Sequence, residues 1–203
     1  MTNNLSNTYG EFIQAWRKLL IEYNFIKSCH IDPLPGMINN GMVPQEDLAP
    51  FMASNFYLRL GSILDEYLQT FIETNGLRIP KKKYRNSLHG RIEFLSDMNK
   101  LKDGGELHRI REKRNDIAHK INAKATWDDF ERDLNIIEQE LMNHGVIIRR
   151  PKYEVLGERK LRKDINEPGV VFGHDFICYI KEDGKVVLEM KWSVKYYDSE
   201  HSK

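Results

Sequence analysis

The chain has 203 residues, 30% of them charged, with a formal net charge of +1 and two cysteines. That length supports one substantial core, or a core with a small appendage, and the near-neutral balance excludes a protein that holds a polyanion by global charge. Cys29 and Cys178 lie far apart and form neither a metal-ligand nor a redox pair, which excludes a disulfide framework and points to a reducing compartment.

The N-terminus, Met1 to Asn7, is polar, and the longest apolar runs are broken by charges, so neither a signal peptide nor a membrane span is expected and a cytoplasmic setting follows. A first helix is expected over about Tyr9–Ser28, with Phe12, Ile13, Trp16, Leu19, Leu20 and Tyr23 on one face. His30 to Pro50 holds Pro33, Pro35, Gly36, Gly41, Pro44 and Pro50 and is expected to be a long non-helical connection, lining a cleft, meeting a partner or simply joining two helices. A second helix, about Ala53–Asn75, carries Phe56, Leu60, Ile63, Leu64, Tyr67, Leu68, Phe71 and Ile72 at helical spacing and is stopped by Gly76. The spacing of Leu88, Ile92, Leu95 and Met98 predicts a third, about Tyr84–Leu101, closed by Asp103-Gly104-Gly105.

Leu107, Ile110, Ile117 and Ile121 then define the stripe of a fourth helix. A fifth opens with Thr126 and Asp129 in the form of a capping box, runs through Phe130, Leu134, Ile137 and Leu141, and ends at Gly145 with His144 at the negative end of its dipole. After Arg149 the pattern turns to β. Val170–Ile180 and Lys185–Tyr197 flank Glu182-Asp183-Gly184 as a hairpin, with Val186, Leu188, Met190, Trp192 and Val194 on the buried face of its second strand. A lone hairpin is marginal, so it must pack on the bundle, pair with a strand around Tyr153–Leu156, or join a second protomer. The expected division is a helical bundle over 1–148 and a small β-rich extension over 149–203.

The fourth helix carries Arg114-Asn115-Asp116-Ile117-Ala118-His119, which sets a fixed cation, an amide, a carboxylate and an imidazole within two turns. At about 100° per residue, His119, Asn115, Arg111 and His108 form one row, while Arg114 points roughly 140° away from His119 near the centre of the apolar stripe. One site using both needs a break near Asp116, a long reach by Arg114, or a second copy of the helix. A two-fold dimer asks least of the backbone.

These residues resemble the R-x4-6-H signature of HEPN domains, including the polar residue directly after the arginine and the placement on a late helix of an all-α domain. The resemblance covers about the first 145 residues and implies a mainly α fold, a HEPN-like bundle of about five helices, here followed by a small C-terminal β-hairpin or sheet. It also implies a metal-independent endoribonuclease acting as a toxin or in phage defence, and a homodimer with the motif at its interface. Arg114 and His119 would be the catalytic pair and Asn115 the polar auxiliary; Asp116, Arg111 and His108 join as auxiliaries on helix geometry alone.

The chemistry is coherent by itself. A neutral imidazole removes the 2′-hydroxyl proton of RNA, the oxygen attacks the adjacent phosphorus, and an arginine fork stabilises the charge that develops, leaving a 2′,3′-cyclic phosphate and a 5′-hydroxyl. Because the nucleophile belongs to the substrate, no metal and no cofactor are expected. Arg109 and Lys113 on the motif helix, and Lys81, Lys82, Lys83 and Arg85 ahead of the third helix, are candidate RNA contacts, with Tyr84 as a stacking platform. Basic residues recur at Arg149, Arg150, Arg159, Lys160, Arg162 and Lys163. RNA, a second copy and an antitoxin or other regulatory protein are the expected partners.

Two rival readings stand beside this. One is a non-catalytic helical interaction or nucleotide-binding module. The other is a metal-dependent PD-(D/E)xK-like nuclease, since Asp175 with Glu189-Met190-Lys191 resembles that signature, although the chain ends too soon to complete the fold. No Gly-rich phosphate loop, zinc-ligand spacing or nucleophile elbow appears, which disfavours an NTPase, a zinc finger or a serine hydrolase.

Overall fold

A computed structural model describes residues 9–28, 45–163, 166 and 168–197, with backbone alone at 45–50, 192 and 194. The protein is mainly α with a C-terminal antiparallel sheet. Its described helices are α1 (Gly10–Ile26), α2 (Gln45–Thr74), α3 (Leu88–Asp97), α4 (Gly104–His119) and α5 (Trp127–Asn143), followed by β1 (Tyr153–Arg162), β2 (Val170–Glu182) and β3 (Lys185–Tyr197). None of these helices is long and apolar enough to cross a membrane. Among the described residues, contacts gather into two units, one of 9–19 and 45–150, the other of 20–28 and the described part of 151–197.

In the first unit α2 is the central rod. Tyr57, Leu60, Leu64, Tyr67 and Leu68 are fully buried at three- and four-residue steps, and α3, α4 and α5 all pack on this helix. Ile92 and Leu95 of α3, Leu107 and Ile110 of α4, and Phe130, Ile137 and Leu141 of α5 complete the core. Helix ends are fixed locally. Gly76 (φ 63°) and Gly145 (φ 68°) take the left-handed conformation and close α2 and α5 through Leu77 N–H to Ile72 and Val146 N–H to Leu141. Thr126 and Asp129 form the expected capping box, the shorter carboxylate sufficing.

Three boundaries differ from expectation. Helix α2 begins at Gln45, so Pro50 is inside it: in the second turn a proline removes a single intrahelical donor, which the long helix tolerates. Residues 30–44, the rest of the expected connection, lie outside the described residues. Helix α3 is shorter than its pattern, because the Ser87 hydroxyl accepts from Gly90 N–H at its start and Asn99, at φ 53°, turns the chain at its end. Helix α4 stops at His119 with Lys120 extended, which leaves Ile117 half-buried and Ile121 99% exposed instead of in the stripe.

In the second unit the strands pair in the order β1-β2-β3, all antiparallel, so the hairpin finds the third strand that begins at Tyr153. Asp183 (φ 48°) and Gly184 (φ 81°) make the two-residue turn, both left-handed as a primed hairpin turn requires. Burial is carried by the middle strand through His174, Phe176, Cys178 and Ile180. On the edge strand β3, Leu188 and Met190 are half-buried and Val186 is exposed, contrary to the fully buried face expected; the Trp192 and Val194 side chains lie outside the described residues. Cys178 is a buried free thiol, and Cys29 lies outside the described residues.

Candidate functional site

Helix α4 presents different chemistry to each neighbour. Toward α5, Arg109 grips the fully buried Asp133 through Nη1 (3.1 Å) and Nη2 (2.5 Å), and Arg132 and the Tyr57 hydroxyl bond the same carboxylate. Burial alone would raise the Asp133 pKa, but the hydrogen bonds from Arg109, Arg132 and Tyr57 prevail and hold it below the ordinary carboxylate range. Lys113 reaches Asp129 at 2.5 Å and lies over the Tyr57 ring. These two cations therefore tie α4 to α5 instead of standing free for RNA phosphate. Glu140, also buried, accepts from the backbone N–H groups of Lys102 and Asp103 and braces the turn that launches α4.

Toward α2, Arg114 lies directly on Gly61. A Cβ built there would stand 2.6 Å from Arg114 Cγ, so the two helices approach closely only because position 61 has no side chain. The arginine head enters a cleft of about 570 Å³. Its walls include Gly61, Asp65, Glu66 and Gln69 of α2, Arg85 and Asn86 of the loop before α3, His89 and Arg91 of α3, and Arg111, Arg114 and Asn115 of α4. Arg114 Nη1 donates to Asn115 Oδ1 at 3.2 Å, its Nε is shielded without a partner, and among the described residues no carboxylate pairs with it. Asp65, by contrast, is taken by Arg91 at 2.7 Å, with Gln69 and Asn86 bonding the same guanidinium, so that Arg91 closes the floor of the cleft.

Toward α3, Arg111 is mostly buried, with Nη2 on Glu112 and a shielded, unpartnered Nε. The His108 ring tilts against His89 at 4.9 Å between centroids. Burial, then the nearby His89 and Arg111 charges, lower the His108 pKa, with Glu93 and Glu112 opposing. His108 lines a neighbouring pocket with Tyr84, Glu93, Ser96 and Asp97, not the Arg114 cleft.

His119, the last residue of α4, is exposed, lines neither pocket, and has no hydrogen-bond partner among the described residues. The helix is unbroken at Asp116, whose carboxylate instead pairs with Lys120 at 2.8 Å, so the possibility of a local break uniting Arg114 and His119 is removed. Of the residues singled out in the sequence, the fold thus gathers Arg114, Asn115, Arg111 and Arg85 in one cleft and leaves His119 and Asp116 outside it. Lys81 and Lys82 are exposed, whereas Lys83 is paired with Asp97 at 2.7 Å. Tyr84 is a correction: it is buried, edge-on to Phe94, with its hydroxyl on Asp97, so its ring is not open to a base.

His89, Arg91 and Gly61 were not among the sequence candidates. Arg85 and His89 are one residue too close to match the signature spacing, and Gly61 reads as an ordinary break in a strong helical pattern; only tertiary packing brings them to Arg114.

Asp175, Glu189 and Lys191 do not assemble. Asp175 pairs in register with Ser193, and Glu189 lies four residues farther along β3, which at strand rise is about 13 Å away and too far for one metal ion. Ser193 donates to Asp175 at 2.6 Å and Lys191 pairs with Glu189 at 2.5 Å. Among the described residues no group of three His, Cys, Asp or Glu is placed to hold a metal.

A family model described as HEPN, Cthe2314-like, matches residues 2–155, about three quarters of the chain. Neither the curated proteins nor the solved structures gave a match.

Proposed function

The chain belongs to the Cthe2314-like HEPN family, and from that membership we infer that it is a metal-independent endoribonuclease working as a homodimer. HEPN domains are associated with nuclease action on RNA, and this family is the frame for the residues described above. The observation that carries the reading is the setting of Arg114: a half-buried guanidinium, fixed by its stem on Gly61, turned into an open cleft with an amide beside it and, among the described residues, no carboxylate bonded to it. A cation held in that way favours an anionic visitor, and its planar fork suits two oxygens of a phosphate.

Arg114 binds the non-bridging oxygens of the scissile phosphate, where removing one such donor costs about 2.7–4 kcal/mol of transition-state stabilisation. Asn115, whose Oδ1 fixes the guanidinium, offers its amide to the same group. His119 takes the 2′-hydroxyl proton, and it does so in the cleft of the second protomer, because at the end of α4 it does not line its own. The half-buried Ile117 and exposed Ile121 beside His119 fit an apolar seam between two copies. A role as a toxin or in phage defence, restrained by an antitoxin or regulatory protein, is the corresponding biological setting.

The test is cleavage of a mixed RNA pool by wild type, Arg114→Ala and His119→Ala, with and without EDTA. Cutting that resists EDTA, leaves 2′,3′-cyclic phosphates and disappears in both variants is the expected result. Cutting that survives both substitutions, or no cutting by the wild type, sinks the reading and favours a helical binding module.

A further inference from the structure

Transphosphorylation of RNA moves two protons, one off the 2′-hydroxyl and one onto the departing 5′-oxygen, and the pairing of Arg114 with His119 supplies a group for the first alone. We propose that His89 is the second proton-transfer residue, the donor to the 5′-oxygen. This rests on the ribonuclease reading above.

Three features point to His89. It stands in the first turn of α3 on the wall of the same cleft as Arg114, Asn115 and Arg111, so one protomer by itself brings an imidazole to the guanidinium that would hold the phosphate. Its Nε2 lies 3.3 Å from Glu93 Oε1, one turn along the helix, a contact that orients the ring. Its Nδ1 is shielded from solvent and has no hydrogen-bond partner, and the Nε atoms of Arg111 and Arg114 share that condition. Buried nitrogens are nearly always satisfied, so three unpartnered ones on residues of a single cleft leave its wall short of acceptors, which a phosphodiester supplies once the side chains turn toward it.

Glu93 on its own helix and His108 from α4 stand against the ring, and Arg111 and Arg85 line the same cleft. The His108 ring, tilted against His89 at 4.9 Å between centroids, limits how that ring can turn. In the reaction the 2′-oxygen gives its proton to His119 and bonds to phosphorus. The bond from phosphorus to the 5′-oxygen breaks, and His89 delivers its proton to that oxygen. The products are the 2′,3′-cyclic phosphate and the 5′-hydroxyl, with His119 protonated and His89 neutral; exchange with water restores both.

A leaving group that needs no proton isolates this step. An RNA oligonucleotide carrying one bridging 5′-sulfur at the cleavage site departs as a thiolate, since a thiol ionises near neutral pH whereas an alcohol does not. His89→Ala and His89→Gln should cut ordinary RNA at least about 100-fold more slowly than wild type, within the usual range for general acid catalysis, and cut the sulfur substrate within about 10-fold of wild type. His119→Ala should fail on both. The glutamine variant preserves side-chain volume and hydrogen bonding, so the comparison survives if alanine loosens α3. Equal losses on the two substrates, or no loss on ordinary RNA, overturn the assignment of His89 while the ribonuclease reading stands. A wild type that leaves both substrates intact overturns that reading and this one with it.

Discussion

Gly61 and Arg114 meet with no room for a methyl group between them: a Cβ on Gly61 would sit 2.6 Å from Cγ and 3.2 Å from Cβ of the arginine. The Arg114 Cβ is fixed by its own helix, so rotation of the side chain cannot relieve the whole contact. Either α2 and α4 move apart or the guanidinium leaves its position beside Asn115. Gly61→Ala gains about 1 kcal/mol of helix propensity and loses about 1–3 kcal/mol to overpacking, a net between no change and a loss of about 2 kcal/mol. Cleavage should fall much further, by about 10-fold or more, because displacement of about 1 Å is enough to spoil a preorganised site. Thermal unfolding and cleavage rate measured on the same preparation check this; an active Gly61→Ala protein would mean that the close contact does not position Arg114.

The Arg109–Asp133 pair gives a second expectation, this time about stability. Because the folded-state pKa of Asp133 is held below its unfolded value, the stabilisation is fully present above the unfolded pKa, near 4, and is lost as pH falls through the folded value. Asp129, depressed chiefly by Lys113 and Thr126 against the cost of its burial, adds to the same trend. Unfolding free energy should be level from neutral pH to about 5 and fall below about 4. Asp133→Ala takes the shared acceptor from Arg109, Arg132 and Tyr57, leaving Arg109 only its bond to Glu106, and should cost about 3–5 kcal/mol, whereas Arg109→Ala leaves the carboxylate with Arg132 and Tyr57 and should cost less, without touching the cleft. Denaturant titrations between pH 3 and 7 test both statements, and an acid-insensitive wild type contradicts them.

What was legible in the sequence follows from the range of the interactions. The Thr126–Asp129 box, the stops at Gly76 and Gly145 and the Asp183–Gly184 turn depend on residues at most a few positions apart, and each is written where it acts. The Arg114–His119 spacing is local too, and it led to the family. Whether those two side chains face one cleft is decided by how α4 is rotated against α2 and where it ends, and those are set by Gly61 and by the cap at Lys120. The partners of Arg109 and Lys113 are illegible for a similar reason: a cation on the motif helix looks free until Asp133 and Asp129 arrive from the next helix.

The sheet offers a negative expectation that separates two nuclease mechanisms. Asp175 and Glu189 are surface partners of Ser193 and Lys191 at different points of the β2–β3 ladder, so neither substitution removes a ligand from a shared site. Asp175→Asn and Glu189→Gln should each change stability by less than about 0.5 kcal/mol and leave RNA cleavage, and its resistance to EDTA, as in the wild type. Loss of cutting in either variant would return the metal-dependent nuclease to consideration.

The separation of His119 from the Arg114 cleft makes a dimeric site testable by mixing two dead proteins. In a heterodimer of Arg114→Ala with His119→Ala, one of the two clefts receives an intact arginine from one subunit and an intact histidine from the other, and the remaining cleft has neither. If subunits exchange freely, half of the dimers are mixed and each has one working site of two, so the mixture should regain about a quarter of wild-type activity. A site built within one protomer regains none, because every Arg114 would still face a missing His119. Ile121→Glu supplies the control for the seam: a charge at this 99% exposed apolar position beside His119 should leave the monomer folded, since nothing in the described unit covers it, and should lower both the sedimentation mass and the activity. Full activity from a protein that sediments as a monomer would place Arg114 and His119 of the same chain in contact through a rearrangement of α4, and the dimeric site would have to be abandoned.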